Sequence, residues 1–259
     1  MHAGSLLKFR VSLALRARAV SDIKILAFDV FGTVVDWHGS ISREVGQMGL
    51  GLDAARCEAV AAAWRDGYRP AMQRVRSGEL GWTRIDDLHR MILDDILPDF
   101  GLGHLGETQR RELNLAWHRL DPWPDAAAGL HALRARFKVC TLSNGNLSLL
   151  ADLARHGQLP WDLILSAEVF RHYKPDPETY RGVAEVFALP PEQVMLVAAH
   201  KDDLRAAARC GLRTAYIERP LEFGAQGVEA GLKDLTRSPD IDFHARDFLD
   251  LAAQLGCPT

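Results

Sequence analysis

Short apolar runs that alternate with helical patterns constrain the fold of this chain more than any other feature of its sequence. The first run ends near Gly32, and each run has the length and composition of a strand that is buried on both faces. The runs lie at 23–30, 137–142, 163–165, 194–198 and 213–217. Strands that alternate with helices predict an α/β fold in which a parallel sheet is covered by helices on both faces.

The stretch from residue 38 to residue 120 breaks this alternation, because it has helical patterns but no clear strand signal. Glycines and prolines separate its helical runs, which lie at 54–65, 82–96 and 108–119. Pro122 and Pro124 mark the return to the α/β pattern. We therefore predict an all-helical domain that is inserted after the first strand.

This interpretation divides the chain into three parts. The α/β core is formed by 22–37 together with 121–259, the helical domain covers 38–120, and an extension covers 1–21. Arginines alternate with apolar residues in the extension. The pattern fits a basic amphipathic helix that touches a membrane or a partner, or a loosely held terminus, and the second is favoured because chain ends are usually loosely held.

Composition narrows the class of protein. The 259 residues are 47% hydrophobic and 25% charged, as in ordinary globular proteins. A net charge of −3 disfavours a general nucleic-acid binder, and no apolar run is long enough to span a membrane. The scattered cysteines predict neither a disulfide framework nor a zinc site, so we expect a cytoplasmic protein. They are Cys57, Cys140, Cys210 and Cys257.

The segments that follow the predicted strands are rich in groups that can do chemistry. Asp29 and Thr33 follow the first strand, Ser143 and Asn144 follow the second, Lys174 lies in a later loop, and 200–203 follows the fourth strand. Each group alone is more often a turn or capping residue. Because parallel sheets place their chemistry beyond the carboxyl ends of the strands, the set together predicts one shared site.

Four motifs carry a resemblance to a known family. They are Phe28-Asp29-Val30-Phe31-Gly32-Thr33, Leu142-Ser143-Asn144-Gly145-Asn146, Tyr173-Lys174-Pro175-Asp176 and Asp203. With them the chain resembles the haloacid dehalogenase superfamily over about residues 23–255, and within it the type II L-2-haloacid dehalogenases. The resemblance implies a Rossmann-like core, a doubly wound parallel sheet, with a helical cap inserted after the first strand.

The superfamily contains phosphatases as well as dehalogenases, and this chain departs from the phosphatases at two positions. Those enzymes use a second aspartate on the first strand as a proton donor, and Phe31 stands there in this chain and cannot transfer a proton. They also carry an acidic residue after the fourth strand, where this chain has Ala199. Magnesium needs hard oxygen ligands. We therefore expect carbon–halogen chemistry, with no metal and no other cofactor.

The resemblance implies roles for the catalytic residues. Asp29 matches the nucleophile that displaces halide and forms an aspartyl ester, which water then hydrolyses to a 2-hydroxy acid. Lys174 matches the lysine that keeps the nucleophile ionised, and Thr33 matches the hydroxyl that orients it. Asp203 matches the residue that activates the hydrolytic water.

The resemblance also implies residues that hold the substrate. Ser143 and Asn144 match those that bind the substrate carboxylate by hydrogen bonds, and Tyr180 matches a tyrosine near the active site. Trp64-Arg65 resembles the family's Trp-Arg pair, whose arginine faces the leaving halide, a task that suits a guanidinium. The alternative for Arg65 is a solvated helix residue beside a core tryptophan.

The fourth strand carries a departure from the dehalogenases themselves. The family pattern Ser-Ser-Asn-x-x-Asp is replaced by Ala198-Ala199-His200-Lys201-Asp202-Asp203. His200 thus stands in place of an asparagine. Because an imidazole titrates near neutral pH, we hypothesise that His200 positions or deprotonates the hydrolytic water. The alternative is that His200 only makes hydrogen bonds within its loop.

The expected substrate is small. Phe31 beside the nucleophile, with Trp37 and Trp64 near it, predicts a tight apolar pocket suited to haloacetates or 2-halopropionates. The expected partners are a haloacid and water, with neither nucleic acid nor membrane. Family members are often homodimers, but this chain has no distinctive interface stripe. Two other functions stay open: a magnesium-dependent phosphatase of a small phosphorylated metabolite, and a non-catalytic binding module on the same fold.

Overall fold

A five-stranded parallel sheet forms the centre of the computed structural model, which describes residues 22–258. Both interpretations of the extension 1–21 therefore concern residues outside the described range. The strands are β1 (Ile25–Phe28), β2 (Val35–Asp36), β3 (Asp121–Pro122), β4 (Lys138–Thr141), β5 (Val194–Ala198), β6 (Arg213–Ile217) and β7 (Phe243–Ala245). In the sheet they follow the order β4-β1-β5-β6-β7, so β1 lies between β4 and β5.

Helices pack on the sheet and fill the segment between β2 and β3. They are α1 (Trp37–Gln47), α2 (Ala54–Asp66), α3 (Tyr68–Arg76), α4 (Ile85–Ile96), α5 (Glu107–Asn114), α6 (Ala126–Arg134), α7 (Leu147–His156), α8 (Ala167–Phe170), α9 (Pro177–Val186), α10 (Lys201–Arg209), α11 (Gly224–Glu229) and α12 (Phe248–Gln254). Shorter 3₁₀ turns lie at Leu97–Phe100, Leu115–Arg119 and Pro191–Gln193. Across residues 22–258, none of the helices has the length and hydropathy of a membrane span.

The sheet is buried on both faces, which explains the continuous apolar runs in the sequence. Leu26 and Phe28 of β1 belong to the larger apolar core, whereas Ile25 and Ala27 belong to the smaller one. All four are buried, because alternate residues of a strand point to opposite faces and each face is covered. The predicted α/β fold with a parallel sheet is confirmed.

The two short strands β2 and β3 lie outside the main sheet and pair with each other. They are antiparallel, with Val35 opposite Pro122 and Asp36 opposite Asp121. This pair brings together the two ends of the segment that contains α1 to α5, which we call the helical segment (residues 37–120). Both ends of the helical segment therefore lie beside the end of the loop that carries Asp29.

Some predicted elements differ from the observed ones. The predicted strand at 163–165 makes one bridge, between Leu163 and Cys140, because the hydroxyl of Thr141 bonds the backbone of Leu165 in place of a ladder. The predicted helix at 108–119 ends as an α-helix at Asn114 and continues as a 3₁₀ turn. Strand β7 was not predicted, because it is short and contains a histidine.

Candidate active site

The carboxyl ends of the central strands meet at one edge of the sheet, and most of the predicted site residues lie there. Asp29 directly follows β1, Asn144 follows β4, and His200 follows β5. Lys174 reaches the same place from the loop between α8 and α9. Because β1 lies between β4 and β5, the segments that follow these strands surround Asp29.

Both carboxylate oxygens of Asp29 are hydrogen-bonded. Lys174 donates from Nζ to Oδ1 over 2.9 Å, and Thr33 donates from Oγ1 to Oδ2 over 2.7 Å. Burial by itself raises the pKa of Asp29, but the charges and hydrogen bonds of Lys174 and His200 outweigh burial and hold this pKa well below its ordinary value. Asp29 is therefore an anion at neutral pH.

Lys174 joins Asp29 to a second buried carboxylate. Its Nζ also donates to Oδ2 of Asp203 over 2.5 Å, and the Tyr180 hydroxyl donates to Oδ1 of Asp203 over 2.6 Å. Burial lowers the pKa of Lys174, but the two carboxylates reverse this and keep it a cation. For Asp203, burial dominates and raises the pKa despite the opposing charge of Lys174. Asp203 is thus a better proton acceptor than an ordinary aspartate.

The loop after β1 turns sharply and aims Thr33 at the carboxylate of Asp29. Gly32 has φ +80°, a conformation that L side chains rarely adopt. The turn lets Thr33 donate to Asp29 while its Oγ1 accepts from the backbone N–H of Ala199 over 2.9 Å. The hydroxyl therefore fixes the Asp29 carboxylate relative to the end of β5.

His200 lies between two carboxylates. Its Nδ1 is 3.1 Å from Oδ2 of Asp29, and its Nε2 is 2.7 Å from Oε1 of Glu222. Burial lowers the pKa of His200, but the charge of Glu222 and the hydrogen bonds with both carboxylates raise it to about 9. An imidazolium at neutral pH has no free nitrogen to accept a proton. This geometry argues against the hypothesis that His200 deprotonates the water, and a positioning role stays a prediction.

A cavity of about 750 Å³ opens above Asp29. Its lining includes several predicted site residues: Phe31, Arg65, Asn144, Lys174, Tyr180, His200 and Asp203. The expected contribution of Trp37 and Trp64 is wrong, because both are buried behind this lining and use their indole N–H groups on Glu222 and on the backbone of His89. Tyr68 and Met72 from α3 form the apolar wall in their place. The volume alone does not restrict the cavity to short acids.

Arg65 lies in the last turn of α2 and faces the cavity. Its guanidinium stacks on Tyr68, with the carbon 4.3 Å from the ring centroid, and lies 5.6 Å from that of Trp37. Within residues 22–258, the side chain of Arg65 makes neither a hydrogen bond nor an ion pair. Its donors are therefore oriented by aromatic rings and remain available to an anion.

The loop after β4 presents one of its two predicted binding residues to the cavity. Asn144 accepts from the backbone N–H of Lys174 over 2.8 Å, while its amide N–H group is 3.2 Å from the sulfur of Met72. Because a thioether sulfur is a weak hydrogen-bond acceptor, the Asn144 amide can bind a stronger acceptor in its place. Ser143 is fully buried, accepts from the backbone N–H of Gly145, and does not line the cavity.

The family model of haloacid dehalogenase-like hydrolases matches residues 23–211. The chain belongs to this family. It is 28% identical over 233 residues to (S)-2-haloacid dehalogenase 1 from Pseudomonas sp. (strain CBS-3), a match that covers 85% of this chain and 96% of that protein.

Solved structures of L-2-haloacid dehalogenases share the fold of this haloacid dehalogenase-like hydrolase. The L-2-haloacid dehalogenase PA0810 is 45% identical, with a TM-score of 0.84 and coverage of 90% of this chain and 99% of that one. The L-2-haloacid dehalogenase from Xanthobacter autotrophicus, with chloropropionic acid covalently bound, is 25% identical, with a TM-score of 0.75 and coverage of 90% and 98%. The resemblance to type II L-2-haloacid dehalogenases is confirmed.

In this haloacid dehalogenase-like hydrolase, reasoning from the sequence missed Tyr68 and the ion pair of the buried Glu222 with the half-buried Lys233. Glu222 lies five residues after β6, at the same edge of the sheet as Asp29. The strand at 213–217 was predicted, so the polar groups that follow it were a usable signal. Tyr68 had no such signal, because its place depends on how α3 packs over the core.

Proposed function

We propose that this protein hydrolyses short 2-haloacids, of the haloacetate or L-2-halopropionate type, to 2-hydroxy acids. One observation carries the proposal: a buried carboxylate, Asp29, is kept ionised by Lys174 and His200 and faces a cavity that also holds the unpaired guanidinium of Arg65. A monoanionic acid that releases a halide ion needs one such nucleophile and cationic donors opposite it.

In the first step, an oxygen of Asp29 attacks the halogen-bearing carbon. The carbon–halogen bond breaks, halide leaves with the bonding electrons, and an aspartyl ester forms. Arg65 stabilises the charge that develops on the halogen, while the Asn144 amide binds the substrate carboxylate. The relative from Xanthobacter autotrophicus, with chloropropionic acid covalently bound, supports a covalent intermediate.

In the second step, water attacks the carboxyl carbon of the ester. Asp203 accepts the water proton, helped by its raised pKa and held in place by Lys174 and Tyr180. The negative charge of the tetrahedral intermediate falls on the oxygen that Thr33 and His200 already hold. The bond between the Asp29 carbon and the substrate oxygen then breaks, and the leaving alkoxide takes the proton.

Lys174 argues for this chemistry over a magnesium-dependent phosphatase. Its ammonium lies between the carboxylates of Asp29 and Asp203, within 2.9 Å of both, and compensates one of their two charges without a divalent ion. Phe31 lines the cavity without any proton to give a leaving alcohol. A substrate with a single negative charge matches this balance better than a phosphate ester does.

The test is halide release from L-2-chloropropionate and fluoroacetate in the presence of a chelator. We expect turnover by the wild type and none by Asp29→Asn. A single turnover in ¹⁸O-water should give unlabelled product on the first cycle, because the product oxygen comes from Asp29. Magnesium-stimulated hydrolysis of p-nitrophenyl phosphate without halide release would favour the phosphatase, and the absence of both activities would favour a binding module.

A further inference from the structure

Glu222 is a fully buried carboxylate in the segment between β6 and α11. It accepts from Nε2 of His200 over 2.7 Å and from the indole N–H of Trp37 over 3.3 Å, and its other oxygen is paired with the ammonium of Lys233. A buried charge is costly unless such partners compensate for it. Nothing in the reaction proposed above uses Glu222 or Lys233 directly.

The packing places Glu222 directly against the loop that carries the nucleophile. A Cβ atom at Gly32 would collide with Oε1 of Glu222, so this glycine is required for space as well as for its positive φ. Glu222 therefore reaches Asp29 by two routes, through His200 and through the turn that aims Thr33. The side chain of Lys233 is 9% exposed and closes the outer end of the arrangement.

We propose that Glu222 and Lys233 are positioning residues: Glu222 keeps His200 an imidazolium that is aimed at Oδ2 of Asp29, and Lys233 compensates the buried charge of Glu222 and holds its carboxylate in place. This inference rests on the proposed ester mechanism. The charges alternate along the series Lys233, Glu222, His200, Asp29 and Lys174, so each anion lies between two cations.

The pair matters most after the first step. Formation of the ester removes the negative charge of Asp29, so His200 loses one of the two anions that hold its proton. Glu222 is then the remaining carboxylate in contact with His200, and it keeps the imidazolium in place for the oxyanion of the second step. Lys233 and His200 support this by lowering the pKa of Glu222 to about 2, although burial alone raises it.

The charged groups that face His200 come from several elements. Asp29 contacts it from the end of β1, and Glu222 contacts it from the segment after β6. Farther charges lie on both sides, and one lies across the cavity: Lys233 beyond Glu222, Lys174 and Asp203 beyond Asp29, and Arg65 on α2. Three of these four are cations, so the two carboxylates in contact, rather than the surroundings, stabilise its proton.

The first experiment compares Glu222→Gln with Glu218→Gln, each in the full chain. Glu218 pairs with His244 over 2.8 Å outside the active site, so it is a matched histidine–carboxylate control. The ring signal of His200, assigned with His200→Gln, is titrated by NMR. We expect Glu222→Gln to lower the His200 midpoint by more than about one pH unit and Glu218→Gln to leave it unchanged. An unchanged midpoint in Glu222→Gln would overturn the proposal.

For the second variant, Lys233→Met, we expect the His200 midpoint to shift in the opposite direction. Removal of the ammonium leaves Glu222 with His200 as its one charged partner in contact, so the His200 midpoint rises. Opposite shifts from the two variants are not expected from general loss of structure. If both variants move the midpoint the same way, the charge argument is wrong.

The third readout connects the pair to the reaction. At pH 8, Glu222→Gln should accumulate the aspartyl ester, detected by mass spectrometry, and its second step should slow by about tenfold or more. The alkaline limb of halide release should move down with the His200 midpoint. A shifted midpoint with unchanged ester breakdown would overturn the positioning role. Absence of halide release from the wild type would instead reject the proposed function, while the NMR titration would still decide the state of His200.

Discussion

The two sides of the cavity differ in how their charged groups are paired. The floor, formed by Asp29, Lys174, His200 and Asp203 from the α/β core, is a set of buried charges in which each has an opposite charge within 3.1 Å. The helical segment also lines the cavity with Asp66, Arg69 and Arg76, but the wall, formed by Arg65, Tyr68 and Met72, holds the single guanidinium of Arg65 beside largely apolar side chains. Within residues 22–258 that guanidinium has no anionic partner. The charges of the floor are paired with one another, whereas the guanidinium of the wall is available to an anion.

We therefore expect the two sides to act at different stages of the proposed reaction. A paired floor fixes the nucleophile before substrate arrives, so little reorganisation is needed when charge moves. In the proposed reaction, the wall stabilises charge that exists only once the substrate is bound. Changes to the floor should therefore abolish chemistry, and changes to the wall should weaken it.

The largest effect is expected at the centre of the floor. Asp29→Asn keeps the shape of the side chain but removes the nucleophile, so halide release should fall by at least about 10⁴-fold. Asp202→Asn is a matched control, because Asp202 is highly exposed and pairs with Arg69 at the rim. Residual turnover within about tenfold of the wild type in Asp29→Asn would mean that a different group attacks the substrate.

The next effect is expected on the wall. Arg65→Met removes the unpaired cation but keeps an extended side chain against Tyr68, so kcat should fall by about 10²- to 10³-fold. Arg65→Lys should recover part of this loss, since it keeps the charge but not the planar fork. Arg69→Met serves as the control, because Arg69 is already paired with Asp202. A similar loss in both methionine variants would mean that Arg65 acts only through long-range electrostatics.

The sequence predicted the floor better than the wall for a physical reason. The backbone of each strand fixes where its last residue lies, so the alternation of strands and helices is enough to assign Asp29, Asn144 and His200 to one edge of the sheet. Lys174 comes from a later loop that strand order does not place, and the resemblance supplied its role beside Asp29.

The wall depends on how helices pack over the core, and the spacing of apolar residues does not determine that. Arg65 was identified through a resemblance, Tyr68 was missed, and Trp37 and Trp64 were placed in the cavity although they lie behind it. An aromatic residue on a helix has the same sequence pattern whether it faces a core or a cavity.

The interior of the helical segment, behind the wall, offers a test of stability. His89 is fully buried, stacks on Trp117 at 4.1 Å between centroids, and has no hydrogen-bond partner for either ring nitrogen among residues 22–258. Burial lowers its pKa to about 3. The unfolded chain binds this proton below about pH 6.5, so the folded state loses stability as pH falls through that value.

His89→Phe should therefore stabilise the protein, by about 2 kcal/mol at pH 5 and by less at pH 8. Denaturant unfolding at the two pH values measures the difference. His131→Phe on the exposed face of α6 is the control for the same replacement at the surface. A loss of stability at pH 5 in His89→Phe would mean that the ring nitrogens have a partner such as ordered water.

The smallest effect is expected where the helical segment meets the core. His118 of the helical segment lies 2.7 Å from Asp152 on α7 and 3.2 Å from Asp86 on α4, and Asp86 in turn accepts from Asn146 beside the Asn144 loop. Burial lowers the pKa of His118, but the two carboxylates reverse this and raise it. A raised pKa gives stability that is complete below the ordinary value and is lost as pH rises through the raised one.

His118→Gln should therefore cost about 1 kcal/mol at pH 6, and the difference from the wild type should shrink as pH passes the pKa of His118. His156→Gln is the matched control, because His156 pairs with Asp121 over 2.9 Å but is solvent-exposed, so its loss should cost less than about 0.5 kcal/mol. Since the His118 contact joins the wall to the Asn144 loop, KM for the haloacid should rise together with the loss of stability. A change in stability without any change in KM would show that the wall and the floor bind substrate independently of this contact.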